Sequence, residues 1–168
     1  MVLGTGNLLM GDDGFGIHAV RALRRRYRWP PTVELVDGGT DGLGLLRWLE
    51  RASHLLILDC ADTGAQPGAL ACLKGDELPA AFATALSPHA LGLPEALALA
   101  RWQGALPEEL VLIGAQPATV RPGMELSPPL AAALPLALRM AVEVLRRWGV
   151  AVHPREGPGK GGTAGAGG

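Results

Sequence analysis

At 168 residues, with 48% hydrophobic and 18% charged residues, the chain has the length of one domain and a composition that excludes intrinsic disorder. Lys+Arg 15 against Asp+Glu 16 leave a net charge of -1, so nothing electrostatic favours nucleic acid or an acidic lipid surface as partner. The two cysteines, Cys60 and Cys72, fit neither a zinc-finger spacing nor a secreted disulfide framework, and a reducing, cytoplasmic location is expected.

Val2 and Leu3 end a first strand that is short, which leaves room for a start codon upstream of Met1; no charged signal-peptide region follows Met1. Over 14–28, Ile17, Val20, Leu23 and Tyr27 recur at helical spacing. The arginines of that stretch fall largely elsewhere, as a solvated face and a C-terminal turn complementing the helix dipole. A second strand is expected at 33–36, a second helix at 42–51, and a third strand at 55–58, an unbroken apolar run of the kind buried on both faces.

An edge strand follows at 68–73, Pro94 opens a short helix, and 110–113 is another buried strand. The last helix, 128–148, is expected to be bent or delayed by Pro135. Mean hydropathy is +0.22, but the longest apolar run, 126–145, is interrupted by Pro128, Pro129, Pro135, Arg139 and Glu143, so no membrane insertion is expected. The body, 1–154, reads as one domain and 155–168 as a flexible glycine-rich tail. Alternating strands and helices predict an α/β sandwich around a mainly parallel sheet, with ligands at the carboxyl ends of the strands.

At those ends stand Asp12 and Asp13 after the first strand, Asp37 to Thr40 after the second, Asp59 after the third, and His89 before a helix. A dinucleotide fingerprint fails, because Leu9 occupies the place of its third glycine and two acids precede the helix where a pyrophosphate needs positive potential. Carboxylate and imidazole donors suit a divalent cation such as nickel, zinc, manganese or cobalt, with positions open for water or substrate. Each residue also has an ordinary use: Asp13 as a helix cap, Asp59 as a loop acceptor, Gly38 and Gly39 as a tight turn, Cys60 as a buried thiol.

The motifs GTGNLLMGDDGFG, VELVDGGTDGLGLL, HLLILDCAD, LSPHALGL and LIGAQPATVRPGMELSPPL, in that order over roughly residues 1–150, closely resemble the hydrogenase maturation proteases. The resemblance implies a twisted, mainly parallel five-stranded sheet with helices on both faces, a three-layer sandwich. It implies an endopeptidase, usually grouped with the aspartic type, that removes the C-terminal extension of a nickel-loaded [NiFe]-hydrogenase large-subunit precursor. Nickel supplied by the substrate would be read by Asp13, Asp59 and His89, with Asp37 beside them and Asp37, Gly38, Gly39 and Thr40 in reach of the substrate. The segments 102–109 and 121–129 are further candidates for substrate contact, and the enzyme is expected to be a monomer. A nickel-sensing chaperone that does not cut, and a nucleotide-binding module, are the alternatives.

Overall fold

The computed structural model of the protein describes residues 1–75, 77–78 and 93–155. The chain begins with β1 (Val2–Thr5) and passes through a 3-10 turn (Asp12–Gly14) into α1 (Phe15–Arg26). There follow β2 (Tyr27–Arg28), β3 (Leu35–Gly39), a second 3-10 turn (Leu43–Leu45), α2 (Leu46–Arg51) and β4 (His54–Cys60). The remainder is β5 (Leu70–Lys74), α3 (Leu93–Gln103), β6 (Glu109–Ala115), α4 (Pro128–Arg147) and β7 (His153–Pro154). The sheet has the order β3-β1-β4-β6-β5; all neighbours are parallel except β5, which runs antiparallel along the β6 edge.

The core divides as a parallel sheet requires, with alternate strand residues feeding opposite faces. Leu56, Leu58, Val111 and Ile113 meet α1 and α4 through Phe15, Val20, Leu23, Leu138 and Leu145. Leu55, Ile57, Leu110 and Leu112 meet α2 and α3 through Leu49, Ala96, Leu97 and Ala100. The α/β sandwich with helices on both faces expected from the sequence is therefore the observed fold. Arg24, Arg25 and Arg26 fall in the last turn of α1, and Arg24 donates 2.6 Å to the Leu35 carbonyl at the exposed edge of β3.

Three details differ from the sequence expectation. The second strand lies at Leu35–Gly39, so Asp37, Gly38 and Gly39 belong to it; Gly38 leaves the room that the Leu3 and Leu45 side chains and the Gly4 carbonyl occupy. The second helix opens as a 3-10 turn and becomes α-helical only at Leu46. The last helix is not delayed by Pro135: it starts at Pro128, and Pro135 sits on its exposed side within the helix. By length and composition this helix could cross a membrane, but Leu130, Ala137, Leu138, Ala141 and Leu145 pack into the core. At the far end of α1, β7 pairs antiparallel with β2, and the Arg155 amide donates to the Arg26 carbonyl at 2.8 Å.

The fold brings backbone against backbone where α1 crosses the sheet. A Cβ on Gly16 would penetrate the Leu58 and Thr5 carbonyl oxygens, and one on Gly4 the Gly16 carbonyl, so neither position has room for a side chain. Gly16→Ala is expected to cost about 3 kcal/mol or more, since rigid backbone must move. Gly104→Ala, with φ +69° but open space around it, should cost about 1 kcal/mol. Urea unfolding of the two variants beside the wild type separates the steric cost from the conformational one.

Candidate active site

The chain leaves β1 toward β3 on one side and later returns as β4 on the other, so the carboxyl ends of β1 and β4 form the switch-point crevice at which ligands gather in open α/β sheets. The loop after β1 doubles back tightly there: Gly6 has φ +122°, and a Cβ on it would strike the Asp13 carbonyl. The Asn7 amide donates to Asp13 Oδ2 at 3.0 Å, which pins that half-buried carboxylate over the crevice. Asp59, next to last in β4, accepts the Cys60 amide on Oδ1 at 2.8 Å.

Burial pushes the Asp59 carboxyl up to about 7, and the negative charge of Asp13 adds to the rise; the Cys60 amide and the Thr5 hydroxyl oppose it without prevailing. Asp13 and Asp59 are thus close enough to feel each other, and Asp59 exchanges its proton near neutrality. Such a pair holds a proton for acid–base chemistry or gives it up to a cation, which would relieve both burial and repulsion.

Asp12, the other half of the acidic doublet, has a different task. Successive residues of a 3-10 turn diverge by about 120°, so the adjacent side chains point apart. Fully buried, Asp12 accepts the amides of Ala118, Thr119 and Ser127 at 2.9, 3.1 and 2.7 Å and the Ser127 hydroxyl at 2.9 Å. Burial alone would push its carboxyl up, but the bonds from Ser127, Thr119 and Ala118 outweigh it and hold the group below its ordinary value. Ser127 is the N-cap of α4, yet its hydroxyl serves Asp12 and caps nothing.

Asp37 stands on the edge strand, where its Oδ2 lies 3.1 Å from Arg21 Nη2 and its Oδ1 accepts the Gly39 amide at 3.3 Å. The Gly39 carbonyl accepts the Gly6 amide at 3.0 Å, joining the rim 37–40 to the β1 loop; Thr40 is exposed. Burial and the carboxylates of Asp59, Asp13, Asp12 and Asp62 push the Cys60 thiol far above its usual range, which keeps it protonated. His89, the expected imidazole ligand, lies outside the described residues. Among the described residues no three His, Cys, Asp or Glu side chains form a metal-holding group, so the carboxylate pair is what the fold itself displays.

Two contributors escaped the sequence reading. Arg21, read as part of a solvated face, reaches Asp37 across the edge strand. Gln116, buried at the end of β6, accepts the Thr63 and Ala65 amides and the Thr63 hydroxyl on Oε1 and donates to Asp62, organising the loop after β4. Arg21 stands outside the quoted motifs, and Gln116, although inside LIGAQPATVRPGMELSPPL, finds these side-chain partners 51–54 residues away in the chain.

A family model described as hydrogenase maturation protease matches residues 17–144. The hydrogenase expression/formation protein HupM of Azotobacter chroococcum is 43% identical over 159 residues, covering 94% of this chain and 76% of the relative. The hydrogenase 2 maturation protease of Escherichia coli is 39% identical over 157 residues, covering 93% of this chain and 96% of the relative. The solved hydrogenase maturating endopeptidase HybD of E. coli superposes with a TM-score of 0.85 at 39% identity, over 92% of this chain and 96% of that one. A hydrogenase 2 maturation peptidase from a Thaumarchaeota archaeon gives a TM-score of 0.65 at 35% identity, over 86% of this chain and 96% of that one.

Asp59 and Asp12 should mark stability with opposite pH signs. Asp59 has its folded value raised from 3.8 to about 7, so the unfolded chain releases that proton first and stability falls as pH rises across that window, by at most about 4 kcal/mol. Asp59→Asn should therefore melt above the wild type at pH 8 and lose the advantage below pH ~4. Asp12, held below its ordinary value, stabilises the fold above that value and loses its contribution as pH falls. Asp12→Ala leaves four donors without their acceptor and should cost about 2–4 kcal/mol at pH 7. Thermal unfolding of the three proteins from about pH 2 to pH 8 tests both signs.

Proposed function

This chain belongs to the hydrogenase maturation proteases, and from that premise we propose that it removes the C-terminal extension of a [NiFe]-hydrogenase large-subunit precursor that already carries nickel. As a hydrogenase maturation endopeptidase it is a hydrolase acting on hydrogenase. In our reading the nickel belongs to the substrate and is read by Asp13, Asp59 and His89. The observation that carries this is the Asp13–Asp59 pair at the β1/β4 crevice, where burial and the negative charge of Asp13 keep Asp59 protonated up to about pH 7.

A divalent cation presented by the precursor would offset that repulsion, and carboxylate oxygens with one imidazole suit nickel. Docking the ion would register the peptide bond before the extension against the crevice. Hydrolysis then needs a water to lose a proton as it attacks the carbonyl and an amine to gain one as it leaves. Carboxylates serve both needs, which supports an aspartic-type grouping; the half-buried, protonated Cys60 thiol supports water over a covalent nucleophile. Asp37, tethered to Arg21 and to the Gly39 amide, steadies the rim 37–40 along which the precursor would lie, and is a second carboxylate available as base. The free thiols Cys60 and Cys72 support a reducing cytoplasm, in which the enzyme would act as a monomer.

The decisive experiment is intact-mass analysis of nickel-loaded precursor incubated with wild type, Asp13→Ala, Asp59→Asn and His89→Ala. Wild type should remove one C-terminal peptide, and each variant should cut at least ~100-fold more slowly. Any of the three cutting at the wild-type rate removes that residue from the assignment, and an unchanged mass with wild type beside stable complex formation points to the non-cutting chaperone. Since nickel must displace the Asp59 proton, calorimetry on the isolated protein should show weak binding that tightens as pH rises through 7. Submicromolar, pH-independent binding would overturn the view that the substrate owns the ion.

A further inference from the structure

Apolar side chains left in water on a rigid support mark a contact surface. Among the described residues, Leu9, Val120 and Met124 are 63%, 43% and 65% exposed. They stand on two segments remote in sequence and stitched into one edge. The Gly11 amide donates to the Gly123 carbonyl at 2.7 Å and the Gly123 amide to the Leu9 carbonyl at 3.0 Å, with bridges pairing Met10 to Gly123 and Gly11 to Val120. The Asp12 carboxylate clamps the second segment at Ala118, Thr119 and Ser127, and His18 Nε2 lies 3.2 Å from the Met124 carbonyl. The three side chains are thus held out by a framework that leaves little to be ordered on binding.

The edge is continuous with the carboxylate pair. The Leu9 amide donates to Asn7 Oδ1 at 2.9 Å and the Asn7 amide to Asp13 at 3.0 Å, so Leu9 and Asp13 share one hydrogen-bonded turn. The segment 116–127 leaves the carboxyl end of β6, the same end of the sheet. Of the other exposed apolar side chains among the described residues, Trp102 and Leu106 precede the first residue of β6 and so lie at the opposite end, and Leu136 stands on the outer side of α4.

We infer that Leu9, Val120 and Met124 form the apolar rest on which the substrate polypeptide lays the stretch adjoining its scissile bond, making them specificity determinants of the cleavage. This rests on the proposed function, which requires an extended polypeptide to pass beside Asp13. Three exposed apolar side chains on such an edge offer contact to apolar residues of that chain, and the thioether of Met124 adapts to their shape. The segment 121–129 thereby becomes the substrate-facing one of the two sequence candidates, and 102–109 does not.

The test is cleavage kinetics on nickel-loaded precursor with the combined Leu9→Ser and Met124→Ser variant, and with Trp102→Ser as the control from the opposite end. The double variant should raise KM on the order of tenfold with kcat within about twofold of wild type, while the control leaves both unchanged. An unchanged KM, a fall in kcat alone, or an equal KM rise in Trp102→Ser overturns the proposal. So does a wild type that self-associates through this edge, seen as a dimer in sedimentation that the double variant turns to monomer with KM unaltered. If the double variant melts below wild type, Met124→Gln, which keeps the side-chain length, reads the same KM effect on an intact fold. Cleavage by Asp59→Asn would sink the carboxylate assignment while leaving the KM comparison readable, so the two failures are distinguishable.

Discussion

The contact between the first turn of α1 and the strands beneath it sets the geometry of everything else. Gly16 lies against the Leu58 carbonyl and Gly4 against Gly16, so helix and sheet approach at backbone distance. Asp13 stands three residues before that crossing and Asp59 one residue past Leu58. A side chain at either glycine would lift the helix and carry Asp13 away from Asp59, and the proton affinity of Asp59, which depends partly on that neighbour, would change with it. Two missing methyl groups therefore tune a carboxylic acid.

The acidic doublet shows how one local geometry divides labour between identical residues. The 3-10 turn sends Asp12 into the protein, where four donors satisfy it, and leaves Asp13 over the crevice with one loop amide. Asp12 is an anchor for the loop that precedes α4; a carboxylate serves there because several converging N–H groups need an acceptor with several lone pairs. Asp59 lies at the other extreme, desolvated beside a like charge with fewer compensating donors. The two differ in surroundings alone, and those surroundings move their proton affinities in opposite directions.

Much of the fold was legible because its signals are local. The unbroken run Leu55 to Leu58 announced a strand buried on both faces, and the glycine turn between β1 and α1 was plain in the spacing. The end of β3 was hidden because Gly38 and Gly39 read as a turn, while the packing of Leu3 and Leu45 on the Cβ-free strand is a tertiary fact. Pro135 was over-read as a delay for a similar reason: it stands on the exposed side of α4, and the helix is held by its other face. Of the candidate site, the position of Asp59 and Asp13 at one end of the sheet followed from strand order. Which member of the doublet faces the crevice does not follow from spacing; the family resemblance pointed to Asp13, and in the structure the partners of Asp12, over 100 residues away, draw that residue inward. Asp37 was legible as a neighbour of the site but not as a partner of Arg21.

The pairing of β7 with β2 has a practical side. It fixes the chain at Arg155 beside the C-terminal end of α1, while the carboxylates sit before the N-terminal end of the same helix. Twelve helical residues put about 18 Å between these two ends. A handle attached beyond Arg155, for immobilisation on a surface or for fusion to a reporter, would leave from the opposite pole of α1. The crevice, and the edge formed by Leu9 and Met124, would then face a bulky client unobstructed.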